Sequence, residues 1–485
     1  MVAGLNWLRL NLTRKKGEDM TIAQEIADYV IRTRYADLPT SVLKKAKECI
    51  LDSIGVAFYG SKFEASQIAF AVICGSDKSS GGTSILGRRE KALPSLAAFV
   101  NGVMTHVADF DDGMVMFRGH PSAVLMPSAL AASEDAGGNG KDLLTAFVVG
   151  SEVGGKLGSV MGWEHYEVGW HPTGTIGSIS AAAAASKALH LNRDEVVNAL
   201  GIAASGASGL RINFGTMTKS YHAGHAAMVG VLAAQLARKG FDASPLVLEG
   251  DTGFAKSFGC GGDISLVVRN LGTNYALNTI LLKPYPSCGA THPPVDAILK
   301  IRDQLNSKWE DVTEIEARVR SAFSTVLCHR NPQTPLEAKF SLEFCLSAAL
   351  VFGQLTIAQF VEASVFNPQV RALMEKVRMI PDPELEKAAR EKEILAPARL
   401  EVKLRGGKEF CETVLEAKGG SSNPMTQDEI QEKFRGCTDQ VLSNSSVETV
   451  LDTIEHLEAL KNVSELTSIL TSKGLKKEKA SGKKR

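Results

Sequence analysis

Apolar residues recur at helical spacing through the first 265 or so positions, and at every second position only in two later stretches. In the segment 40–59, Val42, Ala46, Ile50, Ile54 and Ala57 share one helical face, with Pro39 before it and Gly60 after it. Helices are expected likewise at 21–34, 65–74, 93–107, 122–136, 141–160, 193–205 and 222–239. Thr21 with Gln24, and Asn192 with Glu195, have the spacing of capping boxes. The Ser/Gly-rich segment 76–83 and the GGNG at 137–140 read as breakers. One further helix, from Pro172 to Leu189, is built almost wholly of Gly, Ser and Ala.

The pattern changes after about residue 275. Ile315, Ala317 and Val319 alternate with Glu316, Arg318 and Arg320, the signature of a half-buried strand. Leu400, Val402 and Leu404 alternate too; Gly406-Gly407 then makes a turn, and 408–415 returns as a hairpin. Helices are expected near 292–305, 336–351 and 368–376. Helical patterning resumes at the Thr426/Glu429 capping box and ends with 446–460, where no strands remain to be covered. The fold class is therefore mainly α: an all-helical domain of 20–270 plus 425–465, and a smaller α+β domain of 275–417. Residues 1–19 read as an extension and 473–485 as a basic disordered tail. There is no internal repeat.

The 54 basic and 54 acidic side chains balance, which argues against a nucleic-acid partner. No apolar run approaches the roughly 20 residues of a membrane span. The eight scattered cysteines form no CxxC and read as reduced thiols of an intracellular, cytoplasmic protein. Arg9, Arg14, Lys15 and Lys16 also give the extension some character of a mitochondrial targeting peptide, against which stand Glu18 and Asp19.

Two helix starts carry basic side chains: His171 before the 172–189 helix, and Lys219 with His222 before the 222–239 helix. Helix starts attract anions, so a small-anion pocket is expected. Lys219 itself reads as part of a Gly/Thr-rich turn. The loop Asp109-Phe-Asp-Asp112 to His120 leaves three readings open: an oxygen-rich metal site, acid–base chemistry, or helix capping and solvated charge. The segment LLKPYPSCGATHPP reads as a strand end, a turn and a helix start; it holds Lys283, Tyr285, Cys288 and His292, with Cys288 either activated at the helix start or an inert packed thiol.

Together the blocks LKKAKECILDSIGVAFYG, AAFVNGVMTHVADFDDG, GHPSAV, GWHPTGTIG, GTMTKSYHAGHAA and KPYPSCGATH resemble the MmgE/PrpD family, and they span 42–292. That family includes 2-methylcitrate dehydratase, cis-aconitate decarboxylase and iminodisuccinate epimerase. The resemblance implies a helical domain with an α+β lid, a homodimer, and no metal or organic cofactor. It carries pocket roles to Asp109, His120, His171, Lys219 and Lys283. A pocket histidine of the decarboxylases falls at Cys288, a threonine at Gly113, and the position nearest their small-domain tyrosine is Leu327. We assign catalysis to Asp109, His120, His171, Lys219, Lys283 and Cys288, substrate binding to His222, Tyr285 and His292, and no residue to a metal. The implied function is a cofactor-independent lyase on a small di- or tricarboxylic acid, working at the domain interface. The alternatives are an isomerase using the same pocket and a non-catalytic carboxylate-binding protein.

Overall fold

A helix made of Ala, Gly and Ser can be buried on all sides only if its neighbours approach closely, and Pro172–Ala188 does this. Every residue in it but Lys187 is buried. It packs against Gly140–Glu167, Thr218–Arg238 and Ser122–Asp135. A Cβ at Gly230 would come within 2.3 Å of Ala181 Cβ, so only glycine allows that contact. Where Pro94–His106 crosses Thr218–Arg238, a Cβ at Gly102 would sit 2.8 Å from Gly224 Cα. This crossing carries the ends of the two helices, at His106 and Lys219, toward one another.

The computed structural model describes residues 20–75, 82–305, 309–392, 394–473 and 475–476. The expected extension 1–19 lies outside them, as does most of the expected tail. Within the tail, Leu475 bridges Leu442 and the Lys476 N–H donates to Val441 O.

One apolar cluster runs from Ile22 to Leu282 and includes Ile430, Phe434, Val450, Leu457 and Leu466. The C-terminal helices Gln427–Thr438 and Asn444–Glu455 thus pack on the helical core, against Thr40–Gly60. A second cluster holds the residues from Ala290 to Val414. Its sheet has four strands, in the spatial order Val377–Asp382, Val312–Arg320, Ala398–Leu404 and Glu409–Val414. The first pair is parallel and the other two are antiparallel. The helices His292–Gln304 and Leu342–Phe352 cover this sheet.

Two short pairings join segments of which the sequence pattern marks only the Leu281-Leu282 end as strand: Thr83–Ser84 with Lys91–Ala92, and Gly113–Met114 with Ile280–Leu281. The second matters most for function. It registers Gly113 opposite Leu281, which draws the loop after His106 beside the entry to the α+β domain.

Candidate active site

The helix Pro94–His106 stops when the chain turns at Asp109, whose φ is +50°. Aspartate is among the few residues that tolerate this left-handed conformation. The turn sends the Asp109 carboxylate inward. Its Oδ1 accepts from Lys283 Nζ at 2.6 Å and from Lys219 Nζ at 3.1 Å, while Lys283 also donates to the Asp109 carbonyl at 3.1 Å. Burial alone would raise the Asp109 pKa, but the two ammonium groups hold it well below the ordinary carboxylate range. Burial would lower the Lys283 pKa, and Asp109 more than reverses that.

The three aspartates of the loop do three different jobs. Asp109 pairs with the lysines. Asp111 Oδ2 meets His106 Nδ1 at 2.8 Å and His120 Nδ1 at 3.3 Å. Asp112 Oδ1 accepts from Ser122 N–H at 3.2 Å, and its Oδ2 takes the Ser122 hydroxyl, which fixes the start of the Ser122–Asp135 helix. Burial, with Asp111 and Asp52 nearby, pushes the Asp112 carboxyl up to about 8. Helix capping is thus the role of Asp112 alone.

His120 is anchored by a 2.7 Å bond between its Nδ1 and the Asp112 carbonyl. A carbonyl only accepts, so the proton sits on Nδ1 and the Nε2 lone pair is left free. His171 stands immediately before Pro172, held by its N–H to Gly209 O at 2.9 Å. Its Nδ1 lies 3.0 Å from His222 Nδ1, so one proton is shared between the two rings. Burial first, with Lys219 and the neighbouring imidazoles adding to it, drives the His171 pKa well below its ordinary value. Burial lowers His120 too, with Asp111 pulling the other way. Both rings are neutral near pH 7 and sit 6.2 Å apart, centroid to centroid.

Asp109, His120, His171, Lys219, Lys283 and Cys288 all line one cavity of about 80 Å³ between the two domains. At the ~30 Å³ that each water takes up in the liquid, that is room for roughly two or three waters. Cys288 is held by its N–H to Lys339 O at 2.9 Å. Burial, then Asp109, raises its thiol pKa, with Lys283 opposing. The thiol is therefore the protonated form, not an activated thiolate.

One expectation needs correction, and three residues assigned to substrate binding lie off the cavity lining. Lys219 is in the first turn of the helix Thr218–Arg238, not in a turn ahead of it; the Thr216 hydroxyl accepts from Thr218 N–H at 3.2 Å and starts the helix early. Tyr285 does not line the cavity, because its hydroxyl donates to Asp296 at 2.6 Å. His292 lies behind the wall, where its Nε2 meets Ser287 O at 3.1 Å. His222 also lies outside the lining and acts on the cavity only through His171.

Sequence reasoning missed His106, whose ring lies tilted 4.6 Å from that of His120 and stacks 5.7 Å from His171. Its one signal was its place five positions before Asp111. Also missed were Arg118, stacked over Trp163 at 4.8 Å, and the aromatic pair Phe214 and Phe340, over which Lys219 Nζ sits at 5.4 and 5.2 Å. One ring nitrogen from each of His106, His120 and His171 lies within 4.8 Å of the others, a spacing that suits a metal ion. Asp109, Asp111 and His120 form a second such group. In that second group, Asp109 Oδ1 and Asp111 Oδ2 are already taken by lysines and imidazoles.

Two ammonium groups on one carboxylate, facing two neutral imidazoles across an interdomain cavity, form a site with the chemistry to bind a carboxylate and to move a proton. Residues 24–267 match the family model of the MmgE/PrpD N-terminal domain, and residues 285–459 that of the MmgE/PrpD C-terminal domain. The chain belongs to the MmgE/PrpD family. It is 30% identical to cis-aconitate decarboxylase of Homo sapiens over 465 residues, covering 93% of this chain and 94% of that protein. Cis-aconitate decarboxylase of Aspergillus terreus is 28% identical over 473 residues, with 93% and 96% covered. 2-Methylcitrate dehydratase of Cupriavidus necator is 25% identical over 380 residues, with 74% and 77% covered.

Proposed function

We propose that this chain is a lyase acting on a small di- or tricarboxylic acid by acid–base chemistry, without a metal or organic cofactor. The observation that carries the reading is the convergence of Lys219 and Lys283 on Asp109, opposite His120 and His171, in one interdomain cavity. The names of the decarboxylase and dehydratase relatives support it.

In this reading the lysines hold a substrate carboxylate and stabilise the charge that builds on it in the transition state. In a dehydration, His120 Nε2 takes the proton from the carbon next to that carboxylate. His222 donates its Nδ1 proton to His171 Nδ1, so His171 presents Nε2–H to the cavity. In a dehydration, that proton goes to the departing hydroxyl as the C–O bond breaks, and water leaves. In a decarboxylation the C–C bond breaks, carbon dioxide leaves, and the same proton goes to the carbon that keeps the electron pair. Cys288 is a packing residue of the wall, and Asp109 sets the charge and position of the two lysines.

The chain acts as a homodimer in this reading, and Leu210, Ile212 and Tyr221 are among the exposed apolar side chains that a second subunit would cover. Its eight free cysteines suit a reducing compartment such as the cytoplasm. Among the described residues no helix is long and apolar enough to cross a membrane. The test is direct. His120→Ala and His171→Ala should each lower turnover by ~10²–10⁴-fold, and exhaustive chelation should leave wild-type turnover unchanged. Loss with EDTA that a divalent ion restores would replace the cofactor-free reading with a metal-dependent one.

A further inference from the structure

Three imidazoles meet beside the cavity, and the lyase reading uses only two of them to move protons. The rings of His106, His120 and His171 lie 4.6 to 6.2 Å apart, centroid to centroid, and one nitrogen from each comes within 4.8 Å of the others. His106 Nδ1 meets the Asp111 carboxylate at 2.8 Å. An ionised carboxylate only accepts, so the proton sits on Nδ1 and Nε2 is bare. That Nε2 is buried without a hydrogen-bond partner, in a residue that is 1% exposed. A buried lone pair left unpaired needs a reason. His120 likewise spends its Nδ1 on the Asp112 carbonyl and Asp111, which leaves Nε2. His171 and His222 share one proton across the 3.0 Å between their Nδ1 atoms; with that proton on His171, its Nε2 is bare as well.

Three bare imidazole nitrogens, each on a ring held by an acceptor at its other nitrogen, are what a zinc site needs. Zinc–nitrogen bonds of about 2.0–2.1 Å set two ligands of a tetrahedral ion about 3.3 Å apart, so each pair of nitrogens closes by at most about 1.5 Å. Asp109 already faces the two ammonium groups, whereas Asp111 forms no ion pair with a lysine or arginine among the described residues and can offset the charge of the ion. An all-nitrogen set does not suit Mg²⁺ or Ca²⁺, which take oxygen ligands. We propose that His106, His120 and His171 form a binding site for Zn²⁺, with the fourth position open to the cavity, and that the ion inhibits the enzyme. The inhibition rests on the lyase reading above; the binding does not. Bound zinc occupies the His120 lone pair. It also holds His171 and His222 in their other tautomers, with no net loss of a proton, so His171 has no Nε2 proton to give.

Zinc is titrated by calorimetry into the full chain after chelator treatment, and one ion per chain should bind. Asp111→Asn removes the acceptor behind two of the rings and should weaken binding by ~10–100-fold. His106→Phe, which keeps a ring but offers no lone pair, should weaken it further. Cobalt in place of zinc reports the ligands of the wild type even if a variant does not fold. It should give the intense visible bands of four-coordinate cobalt, without the near-ultraviolet band of a cobalt–thiolate bond. No binding, binding that both folded variants retain in full, or a thiolate band from one of the free cysteines overturns the proposal. At saturation, zinc should also lower turnover of cis-aconitate or 2-methylcitrate by ~10²-fold or more, the cost of a lost acid or base, and EDTA should restore it. Turnover unchanged or raised by bound zinc overturns the inhibition. If neither acid is turned over with or without zinc, the lyase reading fails and the inhibition with it, while the titration still decides the zinc site.

Discussion

Replacing Asp109 by Asn removes one charge from the centre of the site and little else. Asparagine is nearly isosteric and tolerates the +50° φ at this position, so the turn survives. The two lysines, however, lose their shared counter-ion. The side chains of Asp109 and Lys283 are 3% and 2% exposed, and that of Lys219 is 7% exposed, so solvent does not screen the loss. Breaking a buried pair of this kind costs about 3–5 kcal/mol, a drop in melting temperature of roughly 6–20 °C for a domain of this size. The pH window follows from the two shifts. Asp109 is held below its ordinary value, so its contribution is full above the carboxylate range and fades as pH falls through the folded value. Lys283 is raised, so its contribution is full below about 10.5 and fades as pH rises through the folded value. At pH 7 the wild type holds both contributions, and that is where the comparison belongs. Thermal unfolding followed by circular dichroism gives the number. Added succinate should stabilise the variant more than the wild type, because it supplies the missing negative charge. A variant that melts within about 2 °C of wild type, with or without succinate, would show that the lysines are not organised by Asp109.

Lys219→Ala removes a charged donor from a site whose other lysine remains; KM should rise ~10–150-fold, the range of a lost charge-assisted hydrogen bond, with a smaller change in kcat in steady-state assays. Burial lowers the pKa of His120, so the base stays neutral in mild acid: the acid limb of kcat/KM should lie below pH 6.5, whereas a limb above that value would mean another base. Because the Cys288 thiol stays protonated, Cys288→Ser should keep most of the turnover, and near-complete loss in folded protein would make Cys288 an acid in its own right.

Much of the helical domain is legible in the sequence because local signals suffice. The capping boxes at Thr21/Gln24, Asn192/Glu195 and Thr426/Glu429 all open helices in the structure. The alternation at Ile315–Val319 and at Leu400–Leu404 marks two real strands. The edge strand Val377–Asp382 is not legible, since it is short, contains Pro381 and buries only Val377 fully. Lys219 misleads for a similar reason, its helix being started by a threonine hydroxyl that periodicity does not register. The site is legible as a set of residue types but not as an arrangement. Asp109 and Lys283 lie 174 positions apart and meet beside a two-residue ladder whose strand end at Leu281 is legible but whose partner, Gly113–Met114, no pattern announces. Tyr285 and His292 sit in the same sequence block as Lys283 and Cys288, yet their side chains turn to Asp296 and Ser287, because neighbours along a turn need not face one cavity.

The most direct measurement is product analysis. Purified wild-type protein and His171→Ala are incubated in D₂O with cis-aconitate, 2-methylcitrate and iminodisuccinate, and followed by proton NMR and mass spectrometry. Wild type should remove water or carbon dioxide from at least one of these acids, with the variant slowed by about two orders of magnitude or more. Interconversion of iminodisuccinate stereoisomers with no change in mass beyond deuterium exchange would make the protein an isomerase. Binding of all three acids without conversion of any would contradict the account at its centre.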